Sequence, residues 1–521
     1  MEQNILLWLD PIRMWKRLSR EFRLAFTIAC VAGFITHLYM FSNLLLSNDA
    51  VGGAFTSNAH LTSGRWALGF FSSLSSYVQM PVVIGLIAVL ALAATAGLTV
   101  RILALHSTVG ILLTSVLLVT FPTVACTFAY MFTADAYFIA LFFNVTAVYL
   151  TKRYRFGWAA AIILIATGCG IYQAYICYAA TLFLMDCIIM LMEEETLKKT
   201  VWTGLRYVGC LLAAMVLYYG IEMLLLHYHQ AKLTTYMGMD TIASFNIVER
   251  LRAVPLAYKT YESYFLRWSF AVPVCKYFHY LAVVMLFVSV CYLIFRKTLW
   301  KQPARCILIF VGGGLLPLTM NLSAVLAYKG SVHRLMIYAF ILLFVAVVKC
   351  AELVAENTVM IGDCRRMGLM FPAISLFCCA AVAWNNFCLC NVGYHALQLN
   401  YENTYAIANR IVDRVESLDG YTTDTSVALI GSVNRELYGT RKYYAKDFEA
   451  SLGGEALFDP LIYQVFLSYY IGSDMPYPPE EQYDFLNNSK EVADMPVYPA
   501  NGSVAMINGI AVVKLGEGSI Q

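Results

Sequence analysis

The sequence predicts an α-helical polytopic membrane protein with about eleven transmembrane helices, followed by a C-terminal extracytoplasmic α/β domain. First, 60% of the 521 residues are apolar, and they cluster in long runs. Second, only 13% are charged, which is too little charge to cover the surface of a soluble protein of this size. Third, the composition becomes mixed and polar after about residue 393.

The predicted spans follow from the length of the apolar runs, because about 20 consecutive apolar residues are needed to cross a bilayer. The runs place helices at 24–46, 81–100, 102–121, 134–150, 156–171, 173–193, 204–227, 277–295, 304–325, 335–355 and 367–389. The stretch from 156 to 193 is too long for one straight span. Because Gly168, Gly170 and the pair Tyr172-Gln173 interrupt it, we expect two spans joined by a tight hairpin.

Lys and Arg predict the orientation, because cytoplasmic loops carry an excess of these residues. Basic clusters recur on one side of the predicted helices, as at 152–155. The short loops on the other side, 47–80, 122–133 and 326–334, hold only Arg65, Lys329 and Arg334. We therefore expect a multi-pass protein of the cytoplasmic membrane, with its N-terminus in the cytoplasm and its C-terminal domain outside.

Two segments outside the predicted spans are amphipathic. Met1–Arg23 is basic and carries Trp8 and Trp15, a pattern typical of a segment that lies along the cytoplasmic face of the membrane. Ile247–Tyr264 belongs to the long outer loop and is expected on the outer membrane surface. There it forms either a connecting helix pair or a lid over a lipid-facing cleft.

The C-terminal region has the pattern of a small α/β domain. Leu397–Leu418 has apolar residues at helical spacing, and Val427–Gly431 is a short buried-type strand that ends in Gly. Met495–Leu515 alternates and contains the turn signals Asn501-Gly502 and Asn508-Gly509, which predict a hairpin or small sheet. The predicted domains are therefore a transmembrane domain at 1–392 and an α/β domain at 393–521.

Several classes of function lack support in the sequence. No phosphate-binding P-loop and no GxGxxG after a strand is present, so nothing points to a soluble nucleotide. The net charge of +3 is too small to predict a nucleic-acid partner. No Cys/His spacing typical of a metal site occurs, so no cofactor is assigned with certainty and a divalent metal is left open.

The remaining candidate residues are polar groups in the predicted outer loops. The first loop contains Asp49 and Arg65, Asp135 lies at the predicted mouth of the fourth span, and the loop before the tenth span holds Lys329, His333 and Arg334. Each also has a simpler interpretation. Asp135 is explained equally well as an N-cap or first-turn acid, the arginines as side chains that reach lipid headgroups, and Asp49 as a turn residue.

Four motifs together resemble one family. They are Ser63-Gly-Arg65-Trp66 after an acid, Phe132-Thr-Ala-Asp135-Ala-Tyr137, Gly170-Ile-Tyr172-Gln173-Ala-Tyr175, and the ending from Met495-Pro-Val-Tyr-Pro-Ala-Asn-Gly-Ser503 to Val512-Val-Lys-Leu515. In these motifs the chain resembles the bacterial type II glucosyltransferase-domain proteins, which are related to the O-antigen glucosyltransferases. Because those proteins are similar to the GT-C class of membrane glycosyltransferases, the chain also resembles that class.

The resemblance implies a reaction and roles for the candidate residues. The expected enzyme moves a sugar, most simply glucose, from a polyprenyl-phosphate donor to a cell-envelope glycan at the outer membrane face, with inversion. Asp49 matches the essential first-loop acid and is the expected general base. Substrate binding is assigned to Asp135, Arg65, Lys329, His333, Arg334, Tyr172 and Gln173. Asn48-Asp49 stands where a pair of acids would favour a metal, so metal use stays open.

A different class of function is also compatible with the helices. Intramembrane Asp186 and Glu222, together with spans interrupted by Gly and Pro, are typical of a transporter or lipid-linked sugar flippase. The odd number of predicted spans, the lack of repeated halves and the appended domain argue against it. A polysaccharide polymerase is a third alternative.

Overall fold

The computed structural model describes residues 10–53, 60–75, 78–235, 238, 241, 247–267, 270–358, 363–433 and 462–516. The chain forms two compact units. The first comprises Met1–Ser42 and Ser57–Asn391, and the second Asn43–Thr56 and Val392–Gln521. Each unit has a hydrophobic core of its own.

In the described part of the first unit, the regular secondary structure is helical. Its α-helices are α1 (Pro11–Arg17), α2 (Arg20–Ser42), α4 (Leu68–Ser72), α5 (Pro81–Ile102), α6 (Thr108–Thr120), α7 (Pro122–Phe128), α8 (Met131–Arg153), α9 (Gly157–Ile171), α10 (Ile176–Met192), α11 (Leu197–Tyr228), α12 (Ile247–Arg267), α13 (Cys275–Arg296), α14 (Pro303–Met320), α15 (Ser323–Leu326), α16 (Leu342–Glu356) and the first part of α17 (Asp363–Glu416). Short 3₁₀ turns occur at Leu61–Ser63, Ser73–Ser75, Gln173–Tyr175, Leu299–Lys301, Arg334–Met336 and Tyr338–Ile341.

The predicted transmembrane helices are confirmed. Among the described residues, ten helical segments are long and apolar enough to cross a membrane, and Gly157–Ile171 is a shorter apolar helix. Together they correspond to the eleven predicted spans, so the chain is a polytopic helical membrane protein. The predicted ends differ in places. In particular, α2 ends at Ser42 rather than at 46, and the third span begins at Thr108 rather than at 102.

The predicted break between α9 and α10 is also confirmed. Tyr172 adopts an extended conformation that ends α9, and a 3₁₀ turn at Gln173–Tyr175 leads into α10. Two glycines of α9 allow close packing beside this turn. A Cβ at Gly168 would lie 2.4 Å from Asn144 Nδ2, and one at Gly170 would lie 2.4 Å from the indole of Trp66. These positions therefore admit no larger residue without movement of a neighbour.

A buried ionic cluster joins the C-terminal ends of α8 and α10. Lys152 Nζ lies 2.5 Å from Asp186 Oδ1 and also donates to the carbonyl of Ile102 at 2.6 Å. Tyr207 donates to Asp186 Oδ2 at 2.7 Å. Both carboxylate oxygens of Asp186 are thus satisfied, and this intramembrane acid holds helices together.

The amphipathic pattern of the long loop forms α12. Ala253, Ala257, Tyr264 and Phe265 are buried, whereas Leu251 is 66% exposed. Tyr258 donates to the carbonyl of Gly314 at 2.8 Å, and Asn321 Nδ2 to that of Ala257 at 3.3 Å. These bonds fasten α12 to the α14–α15 region. Its location on the outer membrane surface and its role as a lid remain predictions.

The predicted N-terminal segment is described only in part. Trp8 lies outside the described residues, and α1 begins after Asp10, whose side chain accepts a hydrogen bond from Ile12 N at 2.9 Å. An Asp at this position satisfies a backbone donor that has no partner within the helix. The position of this segment on the membrane face remains a prediction.

The second unit contains α3 (Asn48–Gly53), the last part of α17, α18 (Tyr463–Phe466), a π-helical turn at Leu467–Ile471, α19 (Glu480–Asn487), α20 (Lys490–Asp494), and strands β1 (Val427–Ile430), β2 (Val504–Ile507) and β3 (Ile510–Lys514). The strand order is β1-β3-β2, with β1 parallel and β2 antiparallel to β3. The predicted strand and hairpin are therefore confirmed. Every residue of β3 is buried rather than alternating, and the same holds for the edge strand β1, so both faces of these two strands are covered.

Asn508 and Gly509 form the two-residue turn between β2 and β3. Both have positive φ angles, 50° and 78°, as a tight hairpin that matches the strand twist requires. Gly431 ends β1 with a φ of 76°, and a Cβ there would lie 2.6 Å from the carbonyl oxygen of Gly516. Glycine is therefore required at the end of this strand.

Two helices that the sequence pattern separates form one helix. The span 367–389 and the helix 397–418 are parts of the single helix α17, which runs from Asp363 to Glu416. Residue 393 thus lies within a continuous helix. The division into a glycosyltransferase domain at 1–392 and an extracytoplasmic domain at 393–521 remains a prediction.

Candidate functional site

The loop that carries Arg65 is held by hydrogen bonds from helices around it. Gly64 adopts a left-handed conformation with φ of 72°, and His60 pairs with Arg65 as an isolated antiparallel bridge. Tyr218 of α11 donates to the Gly64 carbonyl at 2.9 Å, and Ala67 N donates to the Gly170 carbonyl at 2.8 Å. Arg65 therefore projects from a fixed backbone.

The Arg65 side chain lies on a pair of stacked tyrosines. Its Nη1 donates to the Tyr137 hydroxyl at 3.1 Å, and its guanidinium carbon lies 5.3 Å from the ring centre of Tyr172. The rings of Tyr137 and Tyr172 are stacked with centroids 4.3 Å apart. The structure thus brings together two predicted site residues. Tyr137, which sequence reasoning left without a role, connects them.

In this arrangement the Arg65 side chain is more restrained than the side chain of an arginine that faces lipid. A guanidinium over an aromatic face gains roughly 0.5–2 kcal/mol, and its planar group offers five N–H donors. Such a side chain is suited to bind a phosphate oxygen pair.

Gln173 acts on the same loop. Its Nε2 donates to the Ser63 carbonyl at 3.0 Å and to the Tyr218 hydroxyl at 3.1 Å. The amide nitrogen is thus committed to the protein itself. This geometry favours a positioning residue for the Arg65 loop over direct contact with substrate through that nitrogen.

Asp135 lies deeper than the sequence suggested. Because α8 begins at Met131, Asp135 is in the second turn, and the first turn contains no acid. Its side chain is fully buried; Oδ1 accepts from Ala136 N at 2.8 Å, and Oδ2 has no hydrogen-bond partner among the described residues. The explanation of Asp135 as an N-cap or first-turn acid is therefore wrong. The Ser75 hydroxyl is close enough to Asp135 to interact with it, but it donates its single proton to the Ser72 carbonyl at 3.2 Å.

Asp49, and not Asp135, is an acid in the first turn of a helix. It does not follow a membrane helix directly, because α2 ends at Ser42; it lies in the first turn of the separate short helix α3. Its side chain is exposed, and Ser47 Oγ accepts a hydrogen bond from Ala50 N at 3.3 Å at the start of this helix. Asp49 belongs to the second unit, whereas the other predicted site residues belong to the first.

The remaining predicted cations follow α15. Arg334 is half-buried, and its carbonyl accepts a hydrogen bond from Thr123 at 3.0 Å. His333 Nε2 lies 3.3 Å from Ser331 Oγ, and Lys329 is exposed. Burial raises the pKa of the Tyr264 hydroxyl well above its usual value, and the nearby charge of Arg334 partly opposes this rise. The Tyr264 ring packs against Phe121, with centroids 5.9 Å apart, and Thr123, two residues further on, holds the Arg334 carbonyl. The backbone of Arg334 therefore lies in the neighbourhood of this buried tyrosine.

A continuous row of aromatic rings connects the surroundings of the two arginines. Successive ring centroids are 5.2, 6.2, 6.2 and 5.9 Å apart along Tyr172, Tyr175, Tyr338, Phe121 and Tyr264. Tyr338 also donates to the Leu118 carbonyl at 2.8 Å. The row thus begins at Tyr172, which lies under Arg65, and ends at Tyr264 of the first unit.

Glu222 is a second buried acid near this framework. It lies one helical turn beyond Tyr218 on α11, is 1% exposed, and has no hydrogen-bond partner for either carboxylate oxygen among the described residues. In this lack of partners Glu222 differs from Asp186, whose two carboxylate oxygens both accept hydrogen bonds.

The described residues do not fit a protein-bound metal. They contain no group of three or more His, Cys, Asp or Glu side chains placed to hold an ion. The exposed Asp49 and its neighbour Asn48 supply too few carboxylates for the oxygen-rich site that Mg²⁺ or Ca²⁺ requires.

Comparison with known proteins identifies the family. The family model described as Glucosyl transferase GtrII matches residues 38–344, more than half of the chain, and includes every predicted site residue. Neither the curated proteins nor the solved structures give a match. The resemblance seen in the sequence motifs is thereby confirmed, and the chain belongs to the GtrII family of membrane glucosyl transferases.

Proposed function

We propose that this glucosyltransferase takes glucose from a polyprenyl-phosphate donor and transfers it to a cell-envelope glycan of the O-antigen kind at the outer face of the cytoplasmic membrane. The observation that carries the proposal is the Arg65 guanidinium fixed by Tyr137 and Tyr172. A lipid-linked donor agrees with the absence of a nucleotide-binding motif from the sequence. The orientation is supported by the distribution of Lys and Arg.

The cations are assigned to the leaving group. As the bond between the anomeric carbon and the phosphate oxygen breaks, negative charge grows on the polyprenyl phosphate. Arg65 and Arg334, with Lys329 and His333, stabilise this charge by charge-assisted hydrogen bonds. Each such bond contributes roughly 1.5–3 kcal/mol. Tyr137 and Tyr172 keep Arg65 in place before the charge develops.

Asp49 is assigned as the general base, as in the GT-C class. Its carboxylate accepts the proton of an acceptor hydroxyl while that oxygen attacks the anomeric carbon. One bond to the sugar forms as the bond to the phosphate breaks on the opposite face, so the configuration at that carbon inverts. The exposure of Asp49 leaves its carboxylate accessible to an acceptor.

Asp135 and Tyr172 are assigned to the binding of the sugar, and Gln173 to positioning the loop. The unpartnered Oδ2 of Asp135 is suited to accept a hydrogen bond from a sugar hydroxyl. A sugar hydroxyl there would satisfy a buried acceptor that the described protein groups leave open.

The test uses purified protein in lipid nanodiscs with radiolabelled polyprenyl phosphate glucose and an envelope glycan acceptor. We expect label in the glycan, and none from UDP-glucose as the matched control donor. In sealed vesicles, movement of the labelled lipid across the bilayer without any transfer would instead support the flippase alternative. Transfer from UDP-glucose alone would contradict the assigned donor.

A further inference from the structure

A groove of about 630 Å³ lies on the surface of the second unit, between α19, the start of α20 and the β2–β3 turn. Its volume is in the range of about 300–1,000 Å³ that is typical of ligand pockets. Every residue that lines the groove belongs to the second unit. It is therefore a feature of that unit alone and is distinct from the surroundings of Arg65, which belong to the first unit.

The outer face of the amphipathic helix α19 forms one wall of the groove. Tyr483 and Leu486 lie on the inner face and are buried in the hydrophobic core against the sheet. Glu481, Phe485 and Asn488 have the spacing i, i+4 and i+7, which places them together on the opposite face. The packing of α19 on the sheet thus fixes which of its side chains are presented to the groove.

Phe485 is the aromatic residue of this groove, and its side chain is 64% exposed. A single exposed aromatic side chain is common in proteins and indicates nothing by itself. Here, however, the ring lies in a concave surface whose other lining residues are Glu, Asp, Asn, Ser and Lys. An open aromatic ring among many hydrogen-bonding groups suits a ligand that has both an apolar face and several hydroxyls.

The charged groups of the groove do not neutralise one another. They are Glu481, Asp484, Glu491 and Lys490. None of the four takes part in an ion pair among the residues that the structure describes. With three carboxylates and one ammonium group, the groove has a net negative charge. It therefore offers acceptors to hydroxyl groups and repels phosphates and other anions.

We infer that this groove binds the glycan acceptor through sugars that carry no negative charge. The inference rests on the proposed function, because it requires an acceptor glycan on the side of the membrane where the second unit lies. The C–H face of a pyranose ring packs on the Phe485 ring, whose electron-rich face attracts polarised C–H groups. Hydroxyls of the same sugar donate to the carboxylates of Glu481 and Asp484. The groove thus raises the affinity for acceptor and takes no part in the chemical step.

The first test removes the aromatic ring and measures the kinetics of transfer. Phe485→Ala should raise the KM for a polymeric envelope glycan about three- to tenfold, with kcat and the KM for donor unchanged. Phe485→Trp keeps an aromatic face, so its KM for the glycan should stay within about twofold of the wild-type value. Because Phe485 is exposed, thermal unfolding of both variants should match that of the wild-type protein.

Tyr469→Ala is the matched control for these variants. Tyr469 is a 61% exposed aromatic residue of the same unit and does not line the groove. Its replacement should leave kcat and both KM values unchanged. Equal KM values for the glycan in Phe485→Ala and Tyr469→Ala, beside normal wild-type transfer, would overturn the inference alone.

A second measurement follows binding without the reaction. The full-length protein in lipid nanodiscs, without donor, is titrated with the lipid-free form of the envelope polysaccharide that accepts glucose in the transfer assay. Phe485→Ala should raise the Kd by the same factor as the KM, and polysialic acid, a negatively charged glycan, should bind at least about tenfold more weakly. Binding of polysialic acid as tight as that of the acceptor would overturn the inference. No wild-type transfer from any lipid-linked glucose would overturn the proposed function, and the inference with it.

Discussion

Replacing Asp49 and Asp135 separately by Asn tests which acid accepts the proton of the acceptor. The substitution keeps the size of the side chain and removes the proton acceptor. For Asp49→Asn we expect glucose transfer to fall about 100- to 10,000-fold, the usual contribution of general-base catalysis. Because Asp49 is exposed in the first turn of a short helix, the free energy of unfolding should change by less than about 1 kcal/mol.

Asp135→Asn should change stability and donor binding more than turnover. The side chain is fully buried and Oδ2 lacks a hydrogen-bond partner among the described residues, an arrangement that costs about 1–3 kcal/mol. Asn removes the buried acid but still buries an amide, so the free energy of unfolding should rise, by no more than about 3 kcal/mol. We expect turnover to fall less than about tenfold and the KM for donor to rise.

The assay measures transfer from labelled polyprenyl phosphate glucose by both purified variants, with thermal unfolding and donor binding followed in parallel. Near-normal transfer by Asp49→Asn would refute its assignment as the base. If Asp135→Asn then binds donor, is as stable as wild type and transfers nothing, the base lies on α8. If both variants lose only donor binding, neither acid is the base.

Three further predictions address the phosphate site, the ionic cluster and the orientation. Arg334→Ala should lower kcat/KM for the lipid-linked donor roughly 10- to 150-fold, and Arg334→Lys should restore only part because it lacks the planar group; full activity of the Ala variant would exclude a phosphate contact. Lys152→Met should lower the free energy of unfolding by about 2–3 kcal/mol, since it leaves the buried Asp186 without its cation while Lys152 itself is partly exposed. The control Lys199→Met breaks an exposed ion pair and should change the free energy of unfolding by less than about 1 kcal/mol in the same thermal unfolding experiment. Equal losses of stability in the two variants would contradict this account. Alkaline phosphatase fused after Gln521 should be active, because its fold requires export; activity of only a cytoplasmic reporter there would invert the predicted orientation.

Local patterns in the sequence predicted those elements that local interactions determine. The break at Tyr172-Gln173 follows from a run too long for one span, and the β2–β3 turn follows from Asn508-Gly509, which tolerates positive φ angles. The strand β1 ends at Gly431 for the same reason. In each case the residues that specify the conformation lie within the element itself.

Elements that depend on packing were not predicted correctly. The sequence pattern separates a helix at 367–389 from one at 397–418, yet no Pro interrupts the chain between them, and α17 continues through both. The start of α8 at Met131 placed Asp135 one turn deeper than expected. The contact of Arg65 with Tyr137 joins residues 72 positions apart, and no single-sequence pattern reports such a distance.

The intramembrane acids separate into two kinds, and the separation bears on the transporter alternative. Asp186 has both oxygens satisfied by Lys152 and Tyr207, so its burial is explained by helix packing. Asp135 and Glu222 lack such partners among the described residues, and burial of an unsatisfied acid is costly enough to need a functional reason. Both lie close in sequence to tyrosines that hold the Arg65 loop.

Asp135 and Lys152 are about 17 residues apart on α8, roughly 25 Å. A transport pathway requires available polar groups through the depth of the membrane. At one end of α8, however, Lys152 and Asp186 are paired with each other. At the other end, Tyr137 binds the Arg65 guanidinium. This distribution fits a reaction at one membrane face better than passage across the membrane.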